Sequence, residues 1–202
     1  MPYYILTLME TKYNHTTDLT PTNVHPIIEL FFEYAQLKNL YRQGWIKHGV
    51  SKEHCESDAD HSFGVALLSY IIAEEYRPDL NSLKTLRLGL FHELCEITPG
   101  DFTPTDNISS EDKFNREYNS IKKTFSKFPN PDKYISLWME FEKESTPEAV
   151  FVKQIDRLEM ALQANLYERL KYNNLDDFFP YVKERIKSPE LKNILEDIIK
   201  TR

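Results

Sequence analysis

Apolar side chains change their rhythm along the chain at Pro26. Upstream, residues 1–24 are rich in Thr, Pro, Asn and Tyr without helical spacing, which predicts an arm or a short edge element. Downstream, apolar positions recur every three to four residues. The first helix is expected over about Ile27 to Leu40, with Ile28, Phe31, Phe32, Ala35 and Leu40 near one face, ending near Gln43-Gly44-Trp45. A second starts at Ser57-Asp58-Ala59-Asp60, where the Ser hydroxyl suits a cap, and carries His61 at the head of a Val65, Leu68 and Ile72 stripe. A third is expected from about Ser82 to Ile97, with Leu83, Leu86, Leu90 and Leu94 inward and Pro99-Gly100 forcing its end. Further helical patterns cover Ser110 to Phe128, Pro131 to Lys143, Pro147 to Tyr172, Leu175 to Lys187 and Pro189 to Ile199. The pattern gives one all-α domain of packed antiparallel helices over residues 25–202, preceded by the arm 1–24.

Composition narrows the partners. Of 202 residues, 41% are hydrophobic, and the net charge is −7 with no Lys/Arg-rich stripe. Binding along a nucleic-acid polymer is therefore not expected, because too few cations are clustered to release its counterions. No apolar run approaches the ~18 residues of a membrane span, and the opening stretch lacks a basic start and long apolar core. The expectation is a cytoplasmic protein with no membrane partner, whose Cys55 and Cys95 are reduced.

Chemistry concentrates at His92-Glu93-Leu94-Cys95-Glu96, followed by Asp101. The zinc-protease pattern is absent, since Glu96 stands where its second His would be. On a continuous helix His92 and Glu96 lie one turn apart, with Glu93 turned about 100° away. Imidazole and carboxylate suit a divalent cation, and further ligands must come from elsewhere. Among His15, His25, His48, His54 and His61, His61 is best placed, although taken alone it reads equally as a hydrogen-bonded core histidine. Asp156 interrupts a turn carrying Val152, Ile155 and Leu158; burial there requires a metal or a salt bridge with Lys153 or Arg157.

Taken jointly, His61, His92-Glu93 and Asp156 follow the order and spacing of the H…HD…D signature, and the chain resembles the HD-domain metal-dependent phosphohydrolases. In particular it is similar to their 5′-deoxynucleotidase branch. The stretches that carry the resemblance are Arg42-Gln-Gly-Trp45, Glu56-Ser-Asp-Ala-Asp-His61, His92-Glu-Leu-Cys-Glu-Ile-Thr-Pro-Gly-Asp101, Asp106-Asn-Ile and Phe151-Val-Lys-Gln-Ile-Asp156-Arg-Leu-Glu-Met, within residues 27–170.

The resemblance implies an HD-domain helical bundle in which His61, His92, Glu93 and Asp156 hold one divalent metal ion (Mn, Co, Mg, Fe or Zn). It implies Glu96 and Asp101 as catalytic acids, the first to orient or deprotonate water. Arg42 and Trp45 would face substrate, and Lys113 and Lys153 are candidate phosphate neighbours; Asp101 also reads as a turn residue after Pro-Gly. The implied substrate is a small nucleotide, a (deoxy)nucleoside 5′-monophosphate, and the implied assembly a homodimer, for which Phe178, Phe179 and Tyr181 are candidate contacts. One departure stands out: the doublet is His-Glu rather than His-Asp, with the same charge on a side chain one methylene longer. It keeps two alternatives open, hydrolysis of another nucleotide (triphosphate, cyclic nucleotide or guanosine tetraphosphate) and a non-catalytic metal- or nucleotide-binding module.

Overall fold

Helices begin where the sequence supplies a cap. The computed structural model describes residues 9–202, in which α1 spans Pro26–Asn39, α2 Gln43–Lys47, α3 Asp58–Tyr76, α4 Ser82–Phe91, α5 Ser110–Phe125, α6 Asp132–Glu142, α7 Pro147–Arg169, α8 Phe178–Arg185 and α9 Pro189–Lys200. Ser57 closes a capping box, its Oγ accepting from the Asp60 amide at 3.3 Å while its own amide donates to Asp60 Oδ2 at 2.9 Å. Asn81, Ser109 and Thr146 cap α4, α5 and α7 with a side-chain oxygen that accepts from a backbone amide of the first turn. Among the described residues there are no β-strands, only isolated bridges, and no helix is long and apolar enough to cross a membrane. The all-α expectation holds.

α7 runs through the centre, burying Phe151, Val152, Ile155, Leu158, Ala161 and Ala164 against α3, α4 and the C-terminal helices. Each large apolar side chain buried there stabilises the fold by ~1.5–3 kcal/mol. α3 and α4 cross closely at Gly89, where a Cβ would stand 2.7 Å from Ala66 Cα. That approach brings the C-terminal end of α4 up to the start of α3.

Two helical faces differ from expectation. α4 buries Thr85, Leu88 and Gly89 and leaves Leu83 and Leu90 exposed. It also stops at Phe91, and Leu94–Ile97 continue as a 3-10 turn. The α-helical path is broken at Glu93, at φ −93° and ψ −2°, and Pro99, which lacks an amide hydrogen, bars continuation beyond the 3-10 turn. Gly100, at φ +83°, completes the exit by donating its amide to the Glu96 carbonyl at 2.8 Å.

α1 likewise buries Glu29, Gln36, Leu37 and Asn39, while Ile27, Ile28 and Phe31 are exposed. Its buried polar groups serve the arm: Thr16 N donates to Gln36 Oε1 and Tyr13 N to Asn39 Oδ1, both at 2.8 Å. From Met9 on, the arm is thus packed against α1 and Gly100; residues 1–8 of the predicted arm lie outside the described residues. Phe178 and Phe179 are core residues and Tyr181 is half-buried, so burial removes the two phenylalanines as surface contacts.

Candidate metal centre

Three helices bring donor atoms together. The first turn of α3 carries His61, the residue closing α4 is His92, and the middle of α7 carries Asp156. All three are buried, and one donor atom from each lies within 4.8 Å of the others.

Both imidazoles are held from behind through Nδ1. His61 Nδ1 lies 2.6 Å from Glu159 Oε2 and His92 Nδ1 2.7 Å from the Gly89 carbonyl, acceptors that place a hydrogen on each Nδ1. The two Nε2 atoms then face each other at 3.4 Å, with Asp156 Oδ1 3.2 Å from that of His61. Glu93 Oε1 stands 3.2 Å from His92 Nε2 and 3.6 Å from His61 Nε2, so its longer side chain reaches the same point. Two imidazole nitrogens with two carboxylates form a donor set suited to a first-row divalent cation, and the residues present fit such an ion.

Charge is finely divided in this volume. Burial and Arg42 press the His61 pKa down, but the Glu159 and Asp156 carboxylates more than offset them and hold it at about 10. Burial pushes Glu93 up, yet Arg42 and the imidazoles bring it well below the usual carboxylate range. Asp156 is also held low, with Arg157 and His61 outweighing its burial. Arg157 supplies the salt bridge, at 3.4 Å from Asp156 Oδ2, while Lys153 pairs with Glu142 instead.

A second, all-oxygen group lies alongside. Asp58, Glu96 and Asp101 are buried with one oxygen each within 4.8 Å of the others, a donor type that suits Mg or Mn. Neither Asp58 oxygen accepts a hydrogen bond, nor does Glu96 Oε2. Burial raises the pKa of Asp58 and Glu96 well above normal, and neighbouring carboxylates raise it further. Glu96 belongs to this group because the α-helix ends before it; the expected alignment of Glu96 with His92 on one helical face is not observed. Asp101 is fixed by the Gln43 amide at 2.8 Å, and Arg42 Nη1 bridges both groups.

Arg42, His92, Glu93, Glu96, Asp101 and Asp156 line a cavity of about 680 Å³, together with Trp45, Phe178, Tyr181, Lys113, Lys153 and Arg157, while His61 and Asp58 are fully buried behind it. Trp45 shows little surface, its Nε1 donating to Glu56 Oε1 at 2.6 Å. Lys113 pairs with Glu117 at 2.6 Å; Glu96 and Glu117 outweigh burial and hold it charged. Lys47 ties Thr103 and Asp106 across the mouth, with Nζ 2.6 Å from each.

Comparison with known proteins agrees with this geometry. The sequence profile of a family described as "HD domain" matches residues 34–198. The chain belongs to the HD-domain family. Its HD domain is 35% identical over 168 residues to the 5′-deoxynucleotidase HDDC2 of Bos taurus, covering 81% of this chain and 80% of that one. It is 34% identical to the 5′-deoxynucleotidase hdd1 of Schizosaccharomyces pombe, covering 83% and 86%. The crystal structure of the PH0347 protein from Pyrococcus horikoshii superposes with a TM-score of 0.73 at 31% identity, covering 87% of this chain and 99% of that one.

Within the HD domain, three contributors are not marked out as site residues by the sequence: Asp58, Gln43 and Glu159. Asp58 looks like an ordinary acid in the first turn of a helix. Glu159 carried the stronger signal, an acid three residues after Asp156 and so on nearly the same face of α7.

Proposed function

We propose that this HD-domain protein hydrolyses 5′-phosphomonoesters of deoxynucleosides, releasing nucleoside and inorganic phosphate. The observation that carries the reading is the convergence of His61 Nε2, His92 Nε2 and Asp156 Oδ1 beside a nucleotide-sized cavity that His92 and Asp156 line, in a chain resembling named 5′-deoxynucleotidases. His61, His92, Glu93 and Asp156 are the residues that would hold one divalent ion: Mn, Co, Mg, Fe or Zn. Such an ion supplies Lewis-acid polarisation of the phosphate and lowers the pKa of water.

The chain's own groups do the rest. Glu96, whose burial makes it a readier proton acceptor, takes a proton from the attacking water, and Asp101 orients it. Arg42, Lys113 and Lys153 offset the charge of the phosphate dianion. Trp45, with Phe178 and Tyr181, offers an apolar wall for the nucleoside. The reading includes a homodimer, supported by the apolar stripe Phe63, Leu67 and Ile71 exposed along α3 and by Ile27, Ile28 and Phe31 on α1. It includes a cytoplasmic setting, supported by two free thiols.

The test is phosphate release from ribo- and deoxynucleoside monophosphates with each metal supplied, alongside Glu96→Ala and Asp156→Ala. Release that fails in both variants is expected. Undiminished release in both, or cleavage confined to triphosphates or cyclic nucleotides, removes the reading.

A further inference from the structure

Behind the two imidazoles the supports differ. His92 leans on a backbone carbonyl of its own helix, whereas His61 leans on a carboxylate brought from α7, Glu159 Oε2 at 2.6 Å. Glu159 is buried and does not face the cavity among the lining residues. Its space is kept open by α3 itself: a Cβ at Gly64 would stand 2.8 Å from Glu159 Oε1, 3.2 Å from Cγ and 3.3 Å from Cδ. Glycine inside a helix costs about 1 kcal/mol relative to alanine. Gly64 lies in the interior of the 19-residue α3, one turn after His61, and its φ is not positive, so backbone geometry does not require it there. Room for the Glu159 carboxylate does.

We propose that Glu159 is a positioning residue for the metal centre: by accepting the Nδ1 hydrogen of His61 it fixes the ring's tautomer and aims Nε2 at the ion, and Gly64 exists to admit it. The idea rests on the metal reading above. A carboxylate behind a ligand imidazole raises the basicity of the ligating nitrogen, and losing such a partner typically weakens metal affinity about 10–100-fold.

Mn²⁺ titrations of the full chain by calorimetry, beside thermal melts in chelator and the visible spectrum of the Co²⁺-loaded protein, test it. Glu159→Gln is expected to weaken Mn²⁺ by about 10–100-fold and to alter the Co²⁺ spectrum. Gly64→Ala touches neither ligand nor cavity and favours the helix. It is expected to bind Mn²⁺ more weakly while a cooperative melt in chelator shows that it folds, which keeps the test alive if Glu159→Gln fails to fold. The double variant is expected to be no weaker than Glu159→Gln alone, because both act through one carboxylate. Unchanged Mn²⁺ affinity in Glu159→Gln, or strictly additive losses in the double variant, overturns the proposal while leaving the metal reading intact. A wild-type protein that binds neither Mn²⁺ nor Co²⁺ overturns both.

Discussion

Arg42 Nη1 lies 3.2 Å from Glu93 Oε1, and the same nitrogen lies 3.2 Å from Asp101 Oδ1 and 3.9 Å from Asp58 Oδ1. One guanidinium therefore compensates three buried carboxylates before any substrate arrives. Arg42→Ala leaves them facing one another, and breaking a buried pair by removing one partner costs ~3–5 kcal/mol. The variant should show that loss in denaturant titrations in chelator, together with a fall in kcat/KM on deoxynucleoside monophosphates of about 100-fold or more. Wild-type stability and kcat/KM would show that Arg42 neither balances the centre nor meets the phosphate.

The proton that His61 keeps up to about pH 10 occupies the side of the ring where a cation must bind. Metal and proton compete for Nε2. Below that pH, affinity should climb by about tenfold per pH unit for one displaced proton. Asp156 and Glu93, both held low, stay ionised and add no slope. Titrations at pH 6, 7 and 8, repeated in buffers of different ionisation enthalpy, count the protons released; a pH-independent Kd would contradict the competition.

Much of this was legible in the chain. Ser57 caps α3 as expected, because a cap is a local signal, and His61, His92 and Asp156 lie together as the family resemblance implied. What was not legible depends on other elements. Leu83 and Leu90 look like core residues by period, but α4 is rotated so that Gly89 can meet Ala66. Helical period aligns Glu96 with His92, but α4 ends at Phe91 and Leu94–Ile97 wind as a 3-10 turn. Asp58 carries no distinguishing local pattern and Glu159 only its place three residues after Asp156; their roles come from Arg42, His61 and Gly64, which meet them through the tertiary fold.

In the proposed mechanism Glu96 separates turnover from metal binding. It sits with Asp58 and Asp101 and not with the imidazoles, so Glu96→Gln should lower kcat by about 10²–10⁴-fold while the His61, His92 and Asp156 site still takes up Mn²⁺. Asp156→Ala should lose both. Phosphate release and calorimetry on the same preparations decide it, and a Glu96→Gln protein with near-normal kcat would take Glu96 out of the proton transfer.

Lys47 bridges α2 to Thr103 and Asp106 in the loop beside Asp101, closing one side of the cavity mouth. Lys47→Ala removes both contacts without touching the metal-site residues. The expected result is a raised KM with kcat and Mn²⁺ affinity little changed, since a looser loop weakens ground-state and transition-state binding alike. A selective fall in kcat would instead place Lys47 at the reacting phosphate.

Glu56 gives the structure a pH-dependent cost. Burial, reinforced by the nearby Glu159 carboxylate, raises its pKa to about 7 although His61 and the Trp45 hydrogen bond favour the charged form. The folded state thus holds a proton that the unfolded chain, with a pKa near 4.3, has already lost. The Glu56 contribution to stability should therefore fall as pH rises from about 4.5 to about 7 and level off above, by ~1–3 kcal/mol with allowance for solvent screening. Glu56→Gln keeps an oxygen for the Trp45 indole and carries no charge at any pH. In chelator, its unfolding free energy should match wild type near pH 4.5 and exceed it by pH 8; a gap that does not widen with pH would mean Glu56 is ionised in the fold at no cost.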